Sequence, residues 1–257
     1  MGRLDAPVSF APLSSGLTSK NTNTGFSIGS GATLKIGGIA GTRSVLVTDQ
    51  TKAPSQIYGT LDASGLKFAP LFVANANDVI VGAGGVITAP RAGIGLLGYA
   101  ADSAAFGDHA TGGTVGSALG GTGSVTIAAG AGIGGGPLLV ASNGTVNIGT
   151  TTVPAITAVV AGYSFTTVPR SVRPTVGPAL ADGASSVVKI TPARDTTAPL
   201  TLTALRAAGA VNNSANLNVP RILSVAGLFT NDGVLNDRGG LGYNQLAGGL
   251  VNNGVLN

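Results

Sequence analysis

Short apolar segments alternate with turn-forming residues along this chain. Branched apolar side chains cluster or alternate with polar ones at residues 33–36, 44–47, 79–81, 86–88, 125–127 and 187–190. Most of these segments are bounded by Gly, Asn or Asp, which tolerate the backbone angles of tight turns. The pattern predicts many short β-strands and favours no long helix.

Two pairs of segments recur at the same spacing of 21 residues. The sequence GSVTI at 123–127 returns as GTVNI at 144–148, and NDGVLN at 231–236 returns as NNGVLN at 252–257. Repeats of 20 to 50 residues are typical of solenoids, in which each unit buries its apolar face against its neighbours. Regular leucine spacing is absent, so the repeat predicts an all-β parallel β-helix (β-solenoid) with coils of about 21 residues.

The chain is predicted to form one β-helix domain over residues 1–257. Residues 1–25 are expected to be an N-terminal cap. Residues 168–199 carry five of the 13 prolines, and proline cannot donate to the interior of a β-ladder. We therefore expect an extra-helical insertion in this range, and an interdomain linker remains open as the alternative.

The composition of the chain argues against several classes of protein. Charged residues make up only 9% of the chain and net charge is +4, without a Lys/Arg cluster of the kind that binds nucleic acid. No cysteine is present, which excludes disulfides and thiolate metal sites, so neither a cofactor nor a metal is predicted. No apolar run approaches the roughly 18 residues of a membrane span, and the first residues do not read as a signal peptide.

Candidate catalytic residues are few and scattered. His109 is the only histidine and follows Asp108, but adjacent strand residues point to opposite faces, so a loop position is expected and its role stays open. All ten acidic residues are aspartates. Stacked coils could bring Asp62 near Asp78 or Asp102, which keeps a glycan-degrading enzyme as a third interpretation.

Residues 55–89 carry a resemblance to a known family. They read SQIYGTLDASGLKFAPLFVANANDVIVGAGGVITA and resemble the secretion domain of two-partner secretion exoproteins, which are filamentous haemagglutinin-like. Asn75 and Asn77 match two asparagines of the family motif, whereas Ala76 replaces a proline and Asp78 a glycine. The turn and core positions of the motif match at Ile57, Gly59, Gly65, Phe68 (a buried aromatic in the family), Gly82 and Gly84.

The resemblance implies a right-handed β-helix that is exported rather than catalytic. Such domains are recognised by a dedicated outer-membrane pore of a Gram-negative bacterium, and the protein is secreted or held at the cell surface, often as an adhesin with a host or cell-surface ligand. On this interpretation Asn75, Ala76, Asn77 and Asp78 take part in partner recognition. The alternative is a self-assembling surface fibre or adhesin stalk that forms a homo-polymer, since exposed coil edges favour end-to-end stacking.

Overall fold

The structure is a computed structural model that describes residues 9–12, 26–37, 44–49, 52–100, 121–149, 157–167, 170–192, 199–236 and 244–257. These residues form strands and two short 3-10 helices, at Ser64–Leu66 and Gly183–Ser185. The first strands are β1 (Ser9–Pro12), β2 (Ser27–Ile28), β3 (Thr33–Lys35), β4 (Val45–Asp49), β5 (Ser55–Ile57), β6 (Thr60–Asp62), β7 (Leu71–Asn75), β8 (Val79–Val81), β9 (Val86–Thr88), β10 (Ile94–Gly98), β11 (Val125–Ile127), β12 (Gly132–Gly134), β13 (Leu138–Ser142) and β14 (Thr145–Ile148).

The second half of the chain continues in the same way. Its strands are β15 (Thr157–Ala161), β16 (Tyr163–Thr167), β17 (Pro174–Ala179), β18 (Val187–Ile190), β19 (Leu200–Thr201), β20 (Ala204–Ala207), β21 (Ala210–Asn213), β22 (Asn216–Asn218), β23 (Ile222–Val225), β24 (Phe229–Asn231), β25 (Val234–Asn236), β26 (Asn244–Leu246), β27 (Leu250–Asn252) and β28 (Val255–Leu256).

The strands assemble into long parallel sheets. Sheet 1 has the order β1-β4-β7-β10-β13-β15-β20-β23-β26, and sheet 2 has the order β2-β5-β8-β11-β14-β18-β21-β24-β27. Sheet 3 (β12-β9-β6-β3) and sheet 4 (β19-β22-β25-β28) contain four strands each. Successive windings of the chain add one strand to sheet 1 and one to sheet 2, which is consistent with a β-solenoid. The prediction of an all-β chain rich in parallel strands is confirmed.

The repeated segments lie directly on one another. Val125 pairs with Val146, and Asn231 pairs with Asn252. Each of these pairs spans 21 residues, whereas Ala204 and its partner Ile222 are 18 residues apart. Strand register is therefore kept across windings of different length, because turns and insertions absorb the difference.

The interior of the stack is filled by rows of branched side chains. One row in sheet 1 has an exposed fraction of at most 1% at every position. Full burial of one such side chain contributes roughly 1.5–3 kcal/mol. The row consists of Val47, Val73, Leu96, Val140, Val159, Leu205 and Leu223.

A second apolar cluster covers the outer face of sheet 1. The antiparallel hairpin β16–β17 supplies Phe165 and, in its loop, Val172. These side chains form one cluster with residues of β4, β7, β10 and β13. All five residues of each of these four strands are buried. Residues 168–199, predicted as an insertion or linker, thus include one strand of this hairpin and strand β18 of sheet 2.

The first edge of sheet 1 is occupied by an antiparallel strand. Within residues 1–25, where a cap is predicted, the structure describes residues 9–12 alone, and β1 pairs there with β4. In the described ranges, neither short helix has the length and apolar character needed to cross a bilayer.

Candidate functional site

The residues predicted for partner recognition form the turn from sheet 1 to sheet 2. Asn75 ends β7 and is fully buried, whereas Asn77 is exposed and Ala76 and Asp78 are half-buried. Asp78 has a φ of 84°, a left-handed angle that aspartate tolerates better than most residues. The turn therefore forms with aspartate at the position where the resembling family has glycine.

Asn75 uses its whole amide group inside the protein. Its Nδ2 donates to the Ala53 carbonyl at 2.9 Å and to Ser55 Oγ at 3.0 Å. Its Oδ1 accepts the backbone N–H of Asn77 at 2.7 Å, which closes the turn. Because a buried amide without partners costs about 1–3 kcal/mol, Asn75 is held in one orientation.

Ser55 links this amide to a buried carboxylate in the preceding winding. Ser55 Oγ donates to Asp49 Oδ2 at 3.0 Å, and the N–H of Phe26 donates to the same oxygen at 2.6 Å. Asp49 is only 4% exposed, and a buried carboxylate is tolerated when it accepts such hydrogen bonds. Register places Asp49 beside Asn75 in sheet 1. The three residues therefore form a single polar chain across two windings.

The same corner continues towards the C-terminal end. Asp78 Oδ1 accepts the N–H of Ser124 at 2.5 Å. Ser142, at the end of β13, donates to the Gly123 carbonyl at 2.7 Å and accepts the N–H of Gly144 at 2.8 Å. We call Asp49, Ser55, Asn75, Asp78 and Ser142 the polar corner. Its side chains bond mainly backbone groups, so it fixes the turns between sheets 1 and 2.

The remaining matched positions shape the windings beside this corner. A Cβ at Gly59 would collide with the carbonyls of Gly29 and Ala32, and one at Gly82 with the Tyr58 ring. Gly84 has a φ of 78°, and Ile57 is fully buried in the core. At Gly65 a Cβ would lie 3.2 Å from the Ile36 carbonyl. All these features belong to turns or to the core.

The prediction of a buried aromatic at Phe68 is wrong. Phe68 is 64% exposed, whereas Leu66 and Phe72 are buried. The 3-10 helix Ser64–Leu66 is followed by Lys67, whose φ of 53° lies in the left-handed region. Leu66 therefore points inwards, Phe68 faces solvent, and the outer cluster takes Phe72 instead.

Two of the aspartates that could support glycan cleavage, Asp62 and Asp78, serve turns. Asp62 accepts the hydroxyl of Ser64 at 2.6 Å and its N–H at 3.1 Å, and these bonds lower the pKa of Asp62. It lies on β6 of sheet 3, away from the Asp78 turn between sheets 1 and 2. Asp102 and His109 lie outside the described residues. The described ranges contain no cluster of three His, Cys, Asp or Glu residues that could hold a metal.

Two asparagine ladders in the last windings were not predicted from the sequence. Asn213 Nδ2 donates to Asn231 Oδ1, and Asn231 Nδ2 donates to Asn252 Oδ1, both at 2.7 Å. A second ladder joins Asn216, Asn236 and Asn257. The repeat of 231–236 at 252–257 was the available signal, but Asn213 precedes Asn231 by 18 residues and breaks the 21-residue spacing.

Comparison with known proteins adds no relative: no family model, curated protein or solved structure matches this chain. The relation to two-partner secretion exoproteins therefore stays a prediction that depends on residues 55–89.

Proposed function

We propose that this chain is a non-enzymatic, right-handed β-helix of about 21-residue coils that serves as the secretion domain of an adhesin-type exoprotein. Its partner would be an outer-membrane pore of the two-partner type in a Gram-negative bacterium. The mature protein would be secreted or held at the cell surface, where it could meet a host or cell-surface ligand. The support comes from the motif at 75–78 and from the parallel stack into which it is built.

The observation that carries this proposal is that the two asparagines of the motif, Asn75 and Asn77, differ in burial. In an extended chain the side-chain amides of Asn75 and Asn77 are both open to solvent and to a partner. In the folded chain Asn75 is fully buried and bonded to Ala53 and Ser55, whereas Asn77 stays exposed. A pore that binds the extended segment would therefore lose one of its two contacts as folding proceeds.

Folding would in this way favour release of the chain from the pore on the outer side of the outer membrane. Each winding supplies a template edge on which the next strand pairs in parallel, so folding can advance winding by winding as the chain emerges. The amide of Asn75 is buried early in this order, because its Nδ2 needs only Ala53 and Ser55 from the preceding winding. Backward movement through the pore would then require reopening of a buried hydrogen-bond network.

Secretion assays with single asparagine variants test the proposal. The chain would be co-expressed with a candidate pore, and the secreted fraction of wild type, Asn77→Ala and Asn75→Ala would be compared. Asn77→Ala is expected to lower secretion several-fold while the unfolding free energy stays within about 1 kcal/mol of wild type. Asn75→Ala is expected to lower both secretion and stability.

Asn212→Ala is the matched control, because Asn212 is an exposed asparagine on β21, away from the motif. It is expected to be secreted normally. Normal secretion of Asn77→Ala, or an equal loss in Asn212→Ala, would contradict the proposed recognition.

A self-assembling structural stalk is the second candidate, and composition favours it: charged residues make up only 9% of the chain, and low charge favours association between strands. Electron microscopy of the purified chain would separate the two: filaments favour a self-assembling stalk, and discrete particles favour the secretion domain.

A further inference from the structure

A groove on the outer face of sheet 1 lies beside the hairpin β16–β17. It has a volume of about 340 Å³ and is bordered by β17 and by strands β15, β20 and β23. Strand register places Ala158, Ala204 and Ile222 in one row across the last three strands. This row faces outwards, because the next residue on each strand belongs to the core. The two alanines are short, which leaves space between β17 and Ile222.

Aliphatic side chains form most of the lining of this groove. Val160 belongs to the outer cluster of sheet 1, Val176 packs against that cluster, and Pro174 of β17 adds a third apolar side chain. Among the described residues that line the groove there is no aromatic ring. The groove therefore offers no flat face on which a sugar or a nucleic-acid base could stack. Its lining suits a flexible aliphatic chain.

Arg206 is the one charged side chain that the structure describes in this lining. It is half-buried on β20, in the outward row that runs from Val160 to Ser224. Its guanidinium makes no hydrogen bond or ion pair with any described residue. A guanidinium that is partly withdrawn from water is stabilised by an oxyanion, above all by a carboxylate that accepts two of its N–H groups. The groove thus joins an apolar floor to an anion-binding group.

The strand beside the groove is poorly suited to bind a peptide. In the described part of the chain β17 pairs with β16 alone, and an extended peptide can in principle add to a free strand edge. However, β17 contains Pro174 and Pro178, neither of which can donate to a ladder. Prolines are typical of edges that are protected against added strands. A small ligand is therefore favoured over a peptide strand.

The volume of the groove sets the size of such a ligand. If each non-hydrogen atom takes about the 30 Å³ that a water molecule occupies in the liquid, the groove holds about 11 of these atoms. Octanoate, a carboxylate with an unbranched eight-carbon chain, is close to this size. It also offers the two chemical features of the lining, which are an anion and an aliphatic chain.

We propose that the groove binds the anion of a medium-chain aliphatic carboxylic acid. The guanidinium of Arg206 donates to the carboxylate, and the aliphatic chain lies on Ala158 and Ala204 between Val176 and Ile222. The groove is formed by other strands than β7 and β8, which flank the motif turn. This inference is therefore independent of the proposed secretion function.

A titration followed by nuclear magnetic resonance tests both the affinity and the place of binding. Octanoate is expected to shift the methyl resonances of Ala158, Ala204 and Ile222 with a dissociation constant on the order of 0.1–1 mM. Octylammonium keeps the chain but reverses the charge, and acetate keeps the charge but lacks the chain. Both are expected to bind at least tenfold more weakly than octanoate.

Three variants separate the charge of the groove from its shape. Arg206→Gln is expected to raise the dissociation constant of octanoate at least tenfold. Lys189→Gln is the matched control, because it removes one positive charge from an exposed position on β18 of sheet 2, and it is expected to change the constant less than twofold. Ala204→Leu fills the floor while Arg206 is kept, and is expected to weaken binding at least tenfold.

Four results would overturn the proposal. They are the absence of a saturable shift below about 10 mM octanoate, shifts confined to methyl groups outside the groove, equal affinities for octanoate and octylammonium, and equal effects of Arg206→Gln and Lys189→Gln. If Ala204→Leu fails to fold, the two charge variants still decide the question, since both positions lie outside the core.

Discussion

Strands β7 and β23 belong to the same sheet, yet all five residues of β7 are buried, whereas β23 alternates half-buried and buried positions. The difference lies outside the stack. The hairpin β16–β17 contributes to a second apolar cluster with the outer face of β7, and β23 lies beyond that cluster. A groove of about 340 Å³ between β17 and strands β15, β20 and β23 marks the boundary between the covered and uncovered regions.

The comparison shows how one winding pattern supports two kinds of sequence. A strand covered on both faces reads as a continuous apolar run, such as LFVA in β7, whereas a strand with one solvated face alternates. The polar residues also differ. The covered region uses the mixed polar corner at its turns. The uncovered region uses asparagine ladders, of which the one through Asn213 and Asn231 is buried inside the stack.

The largest expected difference in unfolding free energy is between substitutions on the outer faces of β7 and β23. Phe72→Ala removes a fully buried ring from the covered face and is expected to lower the unfolding free energy by about 3–5 kcal/mol. Ser224→Ala changes the outer face of β23 and is expected to stay within about 0.5 kcal/mol of wild type. Urea unfolding measures both, and similar losses would contradict the contrast between the two faces.

The asparagine ladder should give the next largest effect. Asn231→Ala removes bonds to both neighbouring windings and leaves buried donors and carbonyls unpaired, so a loss of about 2–3 kcal/mol is expected. The control Asn212→Ala, on an exposed position of β21, is expected to change stability by less than about 0.5 kcal/mol. Equal melting temperatures for the two variants would show that the ladder adds no stability.

Two glycines give a further test of the difference between covered and uncovered positions. A Cβ at Gly95 would lie 2.6 Å from the Phe72 ring, whereas nothing lies within 4 Å of a Cβ at Gly134. Gly95→Ala is expected to cost about 1–3 kcal/mol through overpacking of the covered face. Gly134→Ala is expected to be neutral, and thermal unfolding of the pair measures the difference. A neutral Gly95→Ala would indicate a loosely packed outer cluster.

The smallest effect concerns a buried hydroxyl in the same cluster. The Tyr99 ring lies 6.1 Å from the Phe165 ring at a tilt of 54°, and its hydroxyl has no hydrogen-bond partner among the described residues. Tyr99→Phe is therefore expected to raise the unfolding free energy by about 1 kcal/mol. Tyr58→Phe, at a position that is 40% exposed, is the control and is expected to change little. Destabilisation by Tyr99→Phe would mean that the hydroxyl is paired.

The pH dependence gives a second readout at Tyr99. Burial raises the pKa of Tyr99 above its ordinary value. Above about pH 10 the unfolded chain loses the phenol proton while the folded chain keeps it, so this group lowers stability as pH rises. Urea unfolding at pH 8 and above pH 10 is expected to show a smaller decline in Tyr99→Phe than in wild type, and equal declines would contradict the burial effect.

Sequence reasoning reached the parts of the fold that repeat locally. The equivalence of Val125 with Val146 follows from matched segments, and the structure pairs them. The outer cluster was not predicted, because its cover at Phe165 is far in sequence from Phe72. Phe68 was misassigned since a motif match does not reveal the left-handed backbone at Lys67, directly before it. The turn at 75–78 was located from the motif, but the burial of Asn75 depends on Ser55 and Asp49, which no local pattern identifies.

The parallel stacking of windings is tested most directly by distances between spin labels on one outer row of sheet 2. Thr126 pairs with Asn147, which pairs with Lys189 on the next strand. Adjacent strands lie about 4.8 Å apart, so labels at 126 and 147 are expected to couple strongly, and labels at 126 and 189 to couple weakly, at about twice that backbone separation. Coupling between 126 and 189 as strong as that between 126 and 147 would contradict the stacked order.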